Sequence, residues 1–493
     1  MGVLLKQSRL NSYIISISFI LGAVYTIFIV PRLFNDHPEQ WGLIQLILYY
    51  AQIISMFVLF SQPSAVIKFY PEYLKRKASS ELMGFLFMVT FILLCIFSVT
   101  WYFFGKHLYF EDDPTLYHSY YKILIPLLAG NVLFEMLGAY SRIRQRTVMH
   151  FFLLNSLQKV AFFIAFVIML LTRLSFTVLI NLVIVIFLIR PVIILIDLYR
   201  AKMLPGVKFF SFQKLNVRKI MDYSAFGLFG GIAYVLIMRI DSIMIGNLIG
   251  LDQLAYYSIP VFLVSAMGIP EKALAQISLP VISSLHSQGD FKGIEVMYKK
   301  VSANQFVMGG FIFLLIWVNI ALLMHILGEK FGNTTWAFFF LGVGKLVDML
   351  TSVNGQILNI SEKYRYGLLL QVVLMVLAIT LNFILIPILG LNGAAIATAT
   401  AIILNNIMKT YLIYRWYGIH PFSKGLVRIL LFFIGTGLLI TFFSFGNIYL
   451  NAVLKTILFS LSGFLFVYYG GASADLKDEV VRIINKYLKN GKN

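Results

Sequence analysis

The stretch MDYSAFGLFGGIAYVLIMRIDSIMIGNLIG, residues 221–250, decides the class of fold that this chain adopts. It contains an apolar run that can cross a bilayer, since about 20 apolar residues suffice for a helix. Arg239 and Asp241 lie well inside it, and a charge that faces lipid costs on the order of 3 kcal/mol or more. Residues two apart point about 200° away from each other on a helix. At least one of the two charges must therefore face a protein interior or a water-filled cavity.

The composition of the whole chain agrees with this stretch. Of the 493 residues, 60% are hydrophobic and 12% are charged, and the mean hydropathy is +0.86. A soluble core cannot bury that much apolar surface, so we predict an all-α polytopic membrane protein. The net charge of +19 does not indicate a nucleic-acid partner, because short loops on one side of the membrane hold most Lys and Arg residues. The sole cysteine, Cys95, excludes an internal disulfide.

Fourteen apolar runs predict fourteen transmembrane helices. Prolines near residue 270 interrupt the eighth run. An alternative interpretation of this region is one long kinked helix that continues to Leu285. The predicted spans are 11–31, 41–63, 82–104, 120–140, 151–171, 176–196, 221–247, 253–273, 303–327, 334–358, 366–387, 393–414, 426–445 and 449–470.

The basic residues orient these spans. With the N-terminus inside, the cytoplasmic loops hold most of the Lys and Arg residues, for example Arg142, Arg144 and Arg146. This bias follows the positive-inside rule through every pair of loops, so both termini are predicted to be cytoplasmic. The outer loops hold only Arg32, Lys106, Arg173 and Lys330.

A faint internal repeat predicts the domain organisation. Similar segments recur at near-equal offsets in the two halves, which is a pattern typical of transporters with parallel repeats. Apolar residues of the C-terminal tail recur at helical intervals. We therefore predict that the tail is either an amphipathic helix on the inner membrane surface or a solvated helix. The predicted parts are an N-terminal six-helix bundle at 1–200, a cytoplasmic linker at 201–220, a second six-helix bundle at 221–415, two extra helices at 416–471 and the tail at 472–493.

Five motifs lie at the junctions between predicted spans: QPSAVIKFYPEY (62–73), RIDSIMIG (239–246), LDQLAYYSIP (251–260), SLPVISSLHSQGDF (278–291) and LNFILIPILGLNGAAIATATA (381–401). Each motif is loose alone, but together their order and spacing cover nearly the whole chain. These junctions resemble those of the Wzx-type oligosaccharide flippases. The resemblance identifies the chain as a member of the superfamily that also contains the lipid II flippases and the MATE drug exporters.

The resemblance implies both a fold and a function. The implied fold is two six-helix bundles that form a V around a central cavity, plus two C-terminal helices, and it works by alternating access. The implied substrate is an undecaprenyl-diphosphate-linked oligosaccharide, moved across the bacterial cytoplasmic membrane for O-antigen, capsule or exopolysaccharide assembly. Polysaccharide polymerase machinery and membrane lipids are the implied partners. Span one lacks the arginines that the resemblance implies for lipid II flippases, which disfavours peptidoglycan precursors as the substrate.

Ionisable residues inside the spans are the candidate site. The cations, which suit a diphosphate head group, are predicted to bind substrate. The acids are predicted to couple transport to protons or sodium ions. The substrate-binding candidates are Arg239, Lys345, Lys159, Lys272 and Arg190, and the ion-coupling candidates are Asp241, Asp348 and Glu135.

Each of these residues also has a structural interpretation. Arg190 and Lys272 lie near predicted cytoplasmic ends and could extend to the membrane surface. Lys345 and Asp348 are three residues apart on one helix and could form a local ion pair. Asp241 could hold Arg239 or Lys345 in place.

The sequence predicts no enzyme and no cofactor. GVGK (342–345) lacks the remaining residues of a phosphate-binding loop, and the seven His residues lack a metal-ligand spacing. The nearest alternative function is a cation-coupled exporter of drugs or metabolites, although a cationic drug would favour an acidic cavity. A membrane glycosyltransferase or polysaccharide polymerase is a further alternative, but such an enzyme would need a long outer loop with catalytic residues.

Overall fold

Long helices account for nearly all of the chain. The computed structural model describes residues 14, 17–109, 114–172, 174–209, 212–332, 334–443 and 446–469, without the side chains of residues 234, 272, 273, 275–277, 424 and 441. Within these residues every regular element is helical. The predicted tail at 472–493 lies outside the described residues.

The helices are numbered here in chain order. In the first half they are α1 (Ile17–Leu33), α2 (Pro38–Leu59), α3 (Gln62–Lys75), α4 (Ser79–Phe104), α5 (Thr115–Ile143), α6 (Thr147–Thr172), α7 (Phe176–Arg200) and α8 (Val217–Leu248). In the second half they are α9 (Leu251–Ser287), α10 (Phe291–Val318), α11 (Ile320–Gly332), α12 (Thr335–Thr351), α13 (Asn354–Ile360), α14 (Tyr364–Tyr417), α15 (Lys424–Phe442) and α16 (Ile448–Tyr469).

The length and composition of these helices match a membrane protein with many spans. Among the described residues, nine helices can cross a membrane, or eleven if each of two bent pairs is one span. The number reaches the predicted fourteen when α14 is divided at its break and the two shorter apolar helices, α1 and α15, are included. The eighth span is continuous from Leu251 to Ser287 despite three internal prolines, as the long-helix interpretation predicts.

The sides of the helices expose large apolar side chains to an extent that water would not tolerate. Leu171, Phe229, Phe442 and Tyr469 are each more than 70% exposed. In a soluble protein such residues would form an aggregation-prone surface, whereas in a bilayer they contact lipid tails. The helices also satisfy their own backbone hydrogen bonds, which is what a hydrocarbon environment requires. The chain is therefore a multi-pass membrane protein.

By internal packing, the chain divides into two units, Met1–Tyr256 and Tyr257–Asn493. In the first unit α2 packs against α5 and α8, and α5 packs against α7. The predicted second bundle begins at residue 221, and α8, its first helix, packs on α2 and α3.

Two breaks shape the helices. Between α2 and α3, Phe60 and Ser61 adopt left-handed backbone angles, with φ of 45° and 56°. A non-glycine residue rarely occupies that region, so this turn is strained. In α14 the break falls at Gly390, whose φ of 58° is accessible because glycine has no Cβ.

Small residues let helices of the second unit approach closely. A Cβ placed at Gly344 of α12 would lie 2.9 Å from Cα of Ala399 in α14. Ala394, Ala395 and Ala397 of α14 are completely buried. Such faces are typical of helix packing in membranes, where close approach replaces the hydrophobic driving force.

The last two helices pack on the second unit through aromatic rings. Phe311 of α10 contacts Phe432 and Phe433 of α15 and Phe459 of α16, with ring centroids 5.3 to 6.2 Å apart. Edge-on and tilted contacts of this kind stabilise a pair by about 0.5–1.5 kcal/mol beyond area burial. The two helices predicted to stand outside the repeat are thereby packed on α10.

Gly130 gives a direct test of the packing between α5 and α7. A Cβ at this position would lie 2.6 Å from the carbonyl oxygen of Phe187, and backbone cannot move aside as a side chain can. We expect Gly130→Ala to destabilise the protein by about 1–3 kcal/mol, despite the higher helix propensity of alanine. Thermal unfolding in detergent measures the effect.

The matched control is Gly435→Ala in α15, because no atom lies within 4 Å of the position that a Cβ would take there. This variant should melt at or above the wild-type temperature. Equal melting temperatures for the two variants would contradict the close packing of α5 on α7.

Candidate functional site

A polar strip joins α8 to α2 inside the first unit, with Arg239 at its centre. The Arg239 Nε atom donates a 2.9 Å hydrogen bond to Oε1 of Gln52, and the guanidinium lies 4.7 Å from the ring centroid of Tyr49. Asn247 extends the strip, since its Nδ2 donates to the Tyr50 hydroxyl at 2.6 Å. Among the described residues, no carboxylate lies within ion-pair distance of Arg239. Its charge is oriented by neutral groups and is not cancelled by an acid.

Asp241 is on a different face of α8 and is 5% exposed. Its Oδ1 atom accepts hydrogen bonds from the backbone nitrogen and the hydroxyl of Ser242, at 2.6 and 3.2 Å. The two charges that opened the sequence analysis are therefore separated, as the helical geometry of an i, i+2 pair predicts. Among the described residues the two form no ion pair, although both lie close enough to Tyr49 to act on its hydroxyl group.

Arg190 of α7 is buried among aromatic rings, with 3% of its surface exposed. Its guanidinium lies 4.1 Å from the ring centroid of Phe187 and 4.8 Å from that of Phe134. Nη2 donates a long 3.4 Å bond to Asn131, which in turn donates to the Ser55 hydroxyl at 2.9 Å. Arg190 thus joins α7, α5 and α2, and does not extend to the membrane surface as its structural interpretation predicts.

The other first-unit candidates lie apart from this strip. Lys159 of α6 is half-buried, and its Nζ lies 5.8 Å from the ring centroid of Phe19 in α1. Glu135 of α5 lines a cavity that α3 and α8 also border. The side chain of Lys272 is not among those that the structure describes.

Lys345 is the centre of an ion-pair network in the second unit. Its ammonium pairs with Glu271 of α9 and, at 2.8 Å, with Asp348 one turn further along α12. The Lys345 side chain is 20% exposed and the two carboxylates are 31% and 34% exposed. Two acids therefore balance this cation, and the local ion pair considered for Lys345 and Asp348 is present.

Neutral side chains extend the network to α13 and α14. Asn406 Nδ2 donates to Asp348 at 3.1 Å, while its Oδ1 accepts from Thr351 at 2.9 Å and Asn354 at 2.8 Å. Lys409, one turn beyond Asn406, adds a second cation close enough to act on Asp348. The amide of Asn406 thus uses both of its ends, and the network joins four helices.

Sequence reasoning finds the charges but not their neutral partners. Gln52, Tyr49 and Asn406 are single polar residues in apolar runs, and no spacing distinguishes them from ordinary core positions. Glu271 is recognisable as an acid within a span, but no pattern pairs it with Lys345, because the two lie on helices far apart in sequence. The sequence offers one general signal for Asn406: an amide side chain within an apolar span tends to form hydrogen bonds to a neighbouring helix.

Removing the Lys345 ammonium tests the network. In Lys345→Met, Glu271 and Asp348 would face each other without the shared cation. Removing one partner of a buried pair costs about 3–5 kcal/mol, and partial exposure screens this pair, so we expect a loss on the order of 2 kcal/mol. Thermal unfolding in detergent measures it.

A double-mutant cycle separates charge from packing. Combining Lys345→Met with Asp348→Asn removes one of the two stranded acids, so the double variant should be less destabilised than the sum of the single variants. Strict additivity would mean that Lys345 and Asp348 do not interact.

Comparison with known proteins agrees with this arrangement of helices. The model of the family described as "Polysaccharide biosynthesis protein" matches residues 4–286, which is more than half of the chain. No curated protein matches the chain.

Solved structures resemble it in fold. The lipid II flippase MurJ, in an inward closed conformation, superposes with a TM-score of 0.72 at 14% identity and covers 93% of this chain and 98% of its own. An inward-facing multidrug resistance MATE family transporter of the MOP superfamily gives 0.66 at 13% identity, covering 81% and 94%. The Vibrio cholerae MATE transporter VcmN D35N mutant gives 0.52 at 12% identity, covering 84% and 95%.

At these identities the solved structures establish the fold alone. The fold is that of the MurJ and MATE transporters, and the family model covers the first unit together with the following helix as far as residue 286. The chain belongs to the polysaccharide biosynthesis protein family.

Proposed function

We propose that this protein is a flippase that moves an undecaprenyl-diphosphate-linked oligosaccharide from the inner to the outer leaflet by alternating access. The observation that carries the proposal is the state of Arg239. This arginine lies within a membrane-spanning helix, neutral groups orient it, and no acid of the described residues forms an ion pair with it. A cation in such a place is costly unless it serves an anionic partner. The family and the fold supply the context of polysaccharide transport.

The geometry of Arg239 suits a phosphate group. One guanidinium N–H is used by Gln52, and the Tyr49 ring lies against the planar group. The remaining N–H groups can bind two oxygens side by side, which is the arrangement that guanidinium makes with phosphates. Its partners limit the rotation of the side chain, so less conformational entropy is lost on binding.

The other charged candidates take different roles in this proposal. Lys345, already balanced by Glu271 and Asp348, stabilises the second unit more than it attracts substrate. Lys159 and Lys272 remain proposed contacts for the head group, and Arg190 a proposed support for α5 and α7. Asp241, Asp348 and Glu135 are proposed to couple transport to protons or sodium ions.

Two alternatives fit the charges less well. A drug exporter shares the fold, but the low identity to the MATE transporters carries no argument about substrate. A cationic drug would be repelled by Arg239, whereas a diphosphate would be attracted. A glycosyltransferase or polymerase would need catalytic residues in a long outer loop, whereas the sequence predicts only short outer loops.

Substitution of Arg239 tests the function. Arg239→Ala removes a charge-assisted contact worth about 1.5–3 kcal/mol, so we expect flipping to slow by about tenfold or more. Arg239→Lys keeps the charge but not the paired N–H groups, so an intermediate rate is expected. The measurement is the fraction of lipid-linked oligosaccharide that reaches the outer leaflet of proteoliposomes.

The matched control is Arg218→Ala, which removes the same charge from the same helix at a side chain that is 93% exposed. It should flip substrate at the wild-type rate. If Arg239→Ala also kept the wild-type rate, the cation would have no part in transport. If the wild type moved no oligosaccharide but exported a cationic drug, the exporter would be the better description.

We also propose that the protein lies in the bacterial cytoplasmic membrane with both termini in the cytosol, where it supplies substrate to a polysaccharide polymerase. The single native cysteine makes this orientation testable. In a Cys95→Ser background, Gly446→Cys between α15 and α16 should react with a membrane-impermeant maleimide in intact cells. Ser287→Cys, at the end of α9, should react only after lysis. The reverse pattern would invert the topology.

A further inference from the structure

The cavity that Glu135 lines in the first unit lies apart from the polar strip around Arg239 and has further charged and polar groups in its wall. Its volume is ≈ 270 Å³, just below the range of about 300–1,000 Å³ that is typical of pockets for drug-sized ligands. It therefore suits a compact group and not a lipid tail or a sugar chain. The lining residues come from the α2–α3 turn, α5 and α8: Met56, Leu59, Ser61, Pro63, Ser64, Glu135, Arg142, Gly227, Leu228 and Gly231.

Two charged side chains, one acidic and one basic, line this cavity. Glu135 and Arg142 are seven residues apart on α5, so they lie on one face of the helix. Within the described part of the chain, neither side chain makes a hydrogen bond or an ion pair. The Arg142 Nε atom is buried and unsatisfied. A buried donor without a partner costs about 1–3 kcal/mol, so a ligand or water must satisfy it.

The mostly apolar lining of the cavity includes two hydroxyl groups and a strained turn. Ser61 and Ser64 contribute hydroxyl groups, and Ser61 adopts the left-handed backbone conformation described above. Between them, Gln62 is completely buried and has no hydrogen-bond partner for either end of its amide among the described residues. Strained backbone and unsatisfied polar groups cluster at functional sites more often than elsewhere.

The charges around the cavity favour an anion without binding it tightly. Arg142 and, from α7, Arg190 are the cations close enough to act on Glu135, and His150 of α6 lies near both arginines. The two arginines outnumber the single carboxylate. An anion that enters would be attracted by Arg142 and repelled by Glu135. These opposed charges lower the affinity for the anion. A carrier needs moderate affinity at a site that must release its ligand.

We propose that this cavity captures the phosphate-bearing head group of a lipid at the cytoplasmic face, with Arg142 as its ligand and Glu135 as the group that promotes release. The proposal rests on the flippase function, because Arg142 follows a span that the topology brings to the cytosol. The capture site is then separate from Arg239, which lies in the predicted outer half of α8. Ser61 and Ser64 supply hydroxyl donors to the same oxygens.

Direct binding tests the capture site without transport. Full-length protein in phosphatidylcholine nanodiscs is titrated with undecaprenyl diphosphate, and the dissociation constant is read from intrinsic tryptophan fluorescence. Arg142→Ala should weaken binding about tenfold or more, since the lost contact is charge-assisted. The control is Arg144→Ala, which removes the same charge two residues further along the chain. The Arg144 side chain does not line the cavity, so this variant should bind as the wild type does.

Glu135→Gln supplies the opposite test with little change in shape. Removing the repelling carboxylate should tighten binding several-fold. This gain could not come from a damaged fold. Weaker binding by Glu135→Gln, or unchanged binding by Arg142→Ala, would overturn the proposal.

Competition experiments identify the source of the bound phosphate group. Flipping assays distinguish a failure of the capture site from a failure of the flippase function. Phosphatidylglycerol should displace bound undecaprenyl diphosphate only weakly. Inorganic pyrophosphate should displace it more strongly, because pyrophosphate carries more negative charge. If phosphatidylglycerol competed as strongly as undecaprenyl diphosphate, the source of the phosphate would be ordinary membrane lipid, and capture of the transport substrate at this cavity would be rejected. If the wild type flipped substrate and Arg142→Ala bound undecaprenyl diphosphate as tightly as the wild type, only the capture site would be rejected. An absence of wild-type flipping would reject the function.

Discussion

The structure depends on the cost of placing charge inside an apolar helix. Hydrocarbon offers no hydrogen bonds, so each intramembrane cation must find partners within the protein. The chain meets this requirement in three ways. Carboxylates balance Lys345, aromatic rings and an amide surround Arg190, and a glutamine and a tyrosine orient Arg239. Arg190 is buried, whereas Arg239 is partly exposed and can meet a ligand, and the proposed function follows from that difference.

Much of the fold was predictable because the bilayer imposes a simple length rule. Within the described residues the apolar runs of about 20 residues are helical, some as one helix and some as two, and the turn expected between the spans of α14 falls at Gly390. The association of α8 with the first unit was not predictable. It depends on contacts of Arg239 and Asn247 with α2, which are about 190 residues away in sequence. Periodicity reports which face of a helix is polar but not which helix it will meet.

The candidate site was predictable only in part, and for a related reason. Charged residues in apolar spans are conspicuous in a sequence, so Arg239, Lys345 and Asp348 could be named. Their partners could not, because a lone Gln52 or Asn406 resembles any buried amide. The sequence groups Arg142 with the cations of a cytoplasmic loop, where the positive-inside rule accounts for it fully. Only the cavity beside the α2–α3 turn distinguishes it from its neighbour Arg144.

The ion-pair network of the second unit has a consequence for the response of the protein to membrane voltage. Moving one elementary charge across 100 mV involves about 2.3 kcal/mol. Glu271, Lys345, Asp348 and Lys409 together carry no net charge when all four are ionised. The membrane potential therefore does no net work on this cluster when it moves as a body. Any electrical sensitivity of transport then comes from the other intramembrane charges, Arg239 among them, and from the charge that the substrate itself carries.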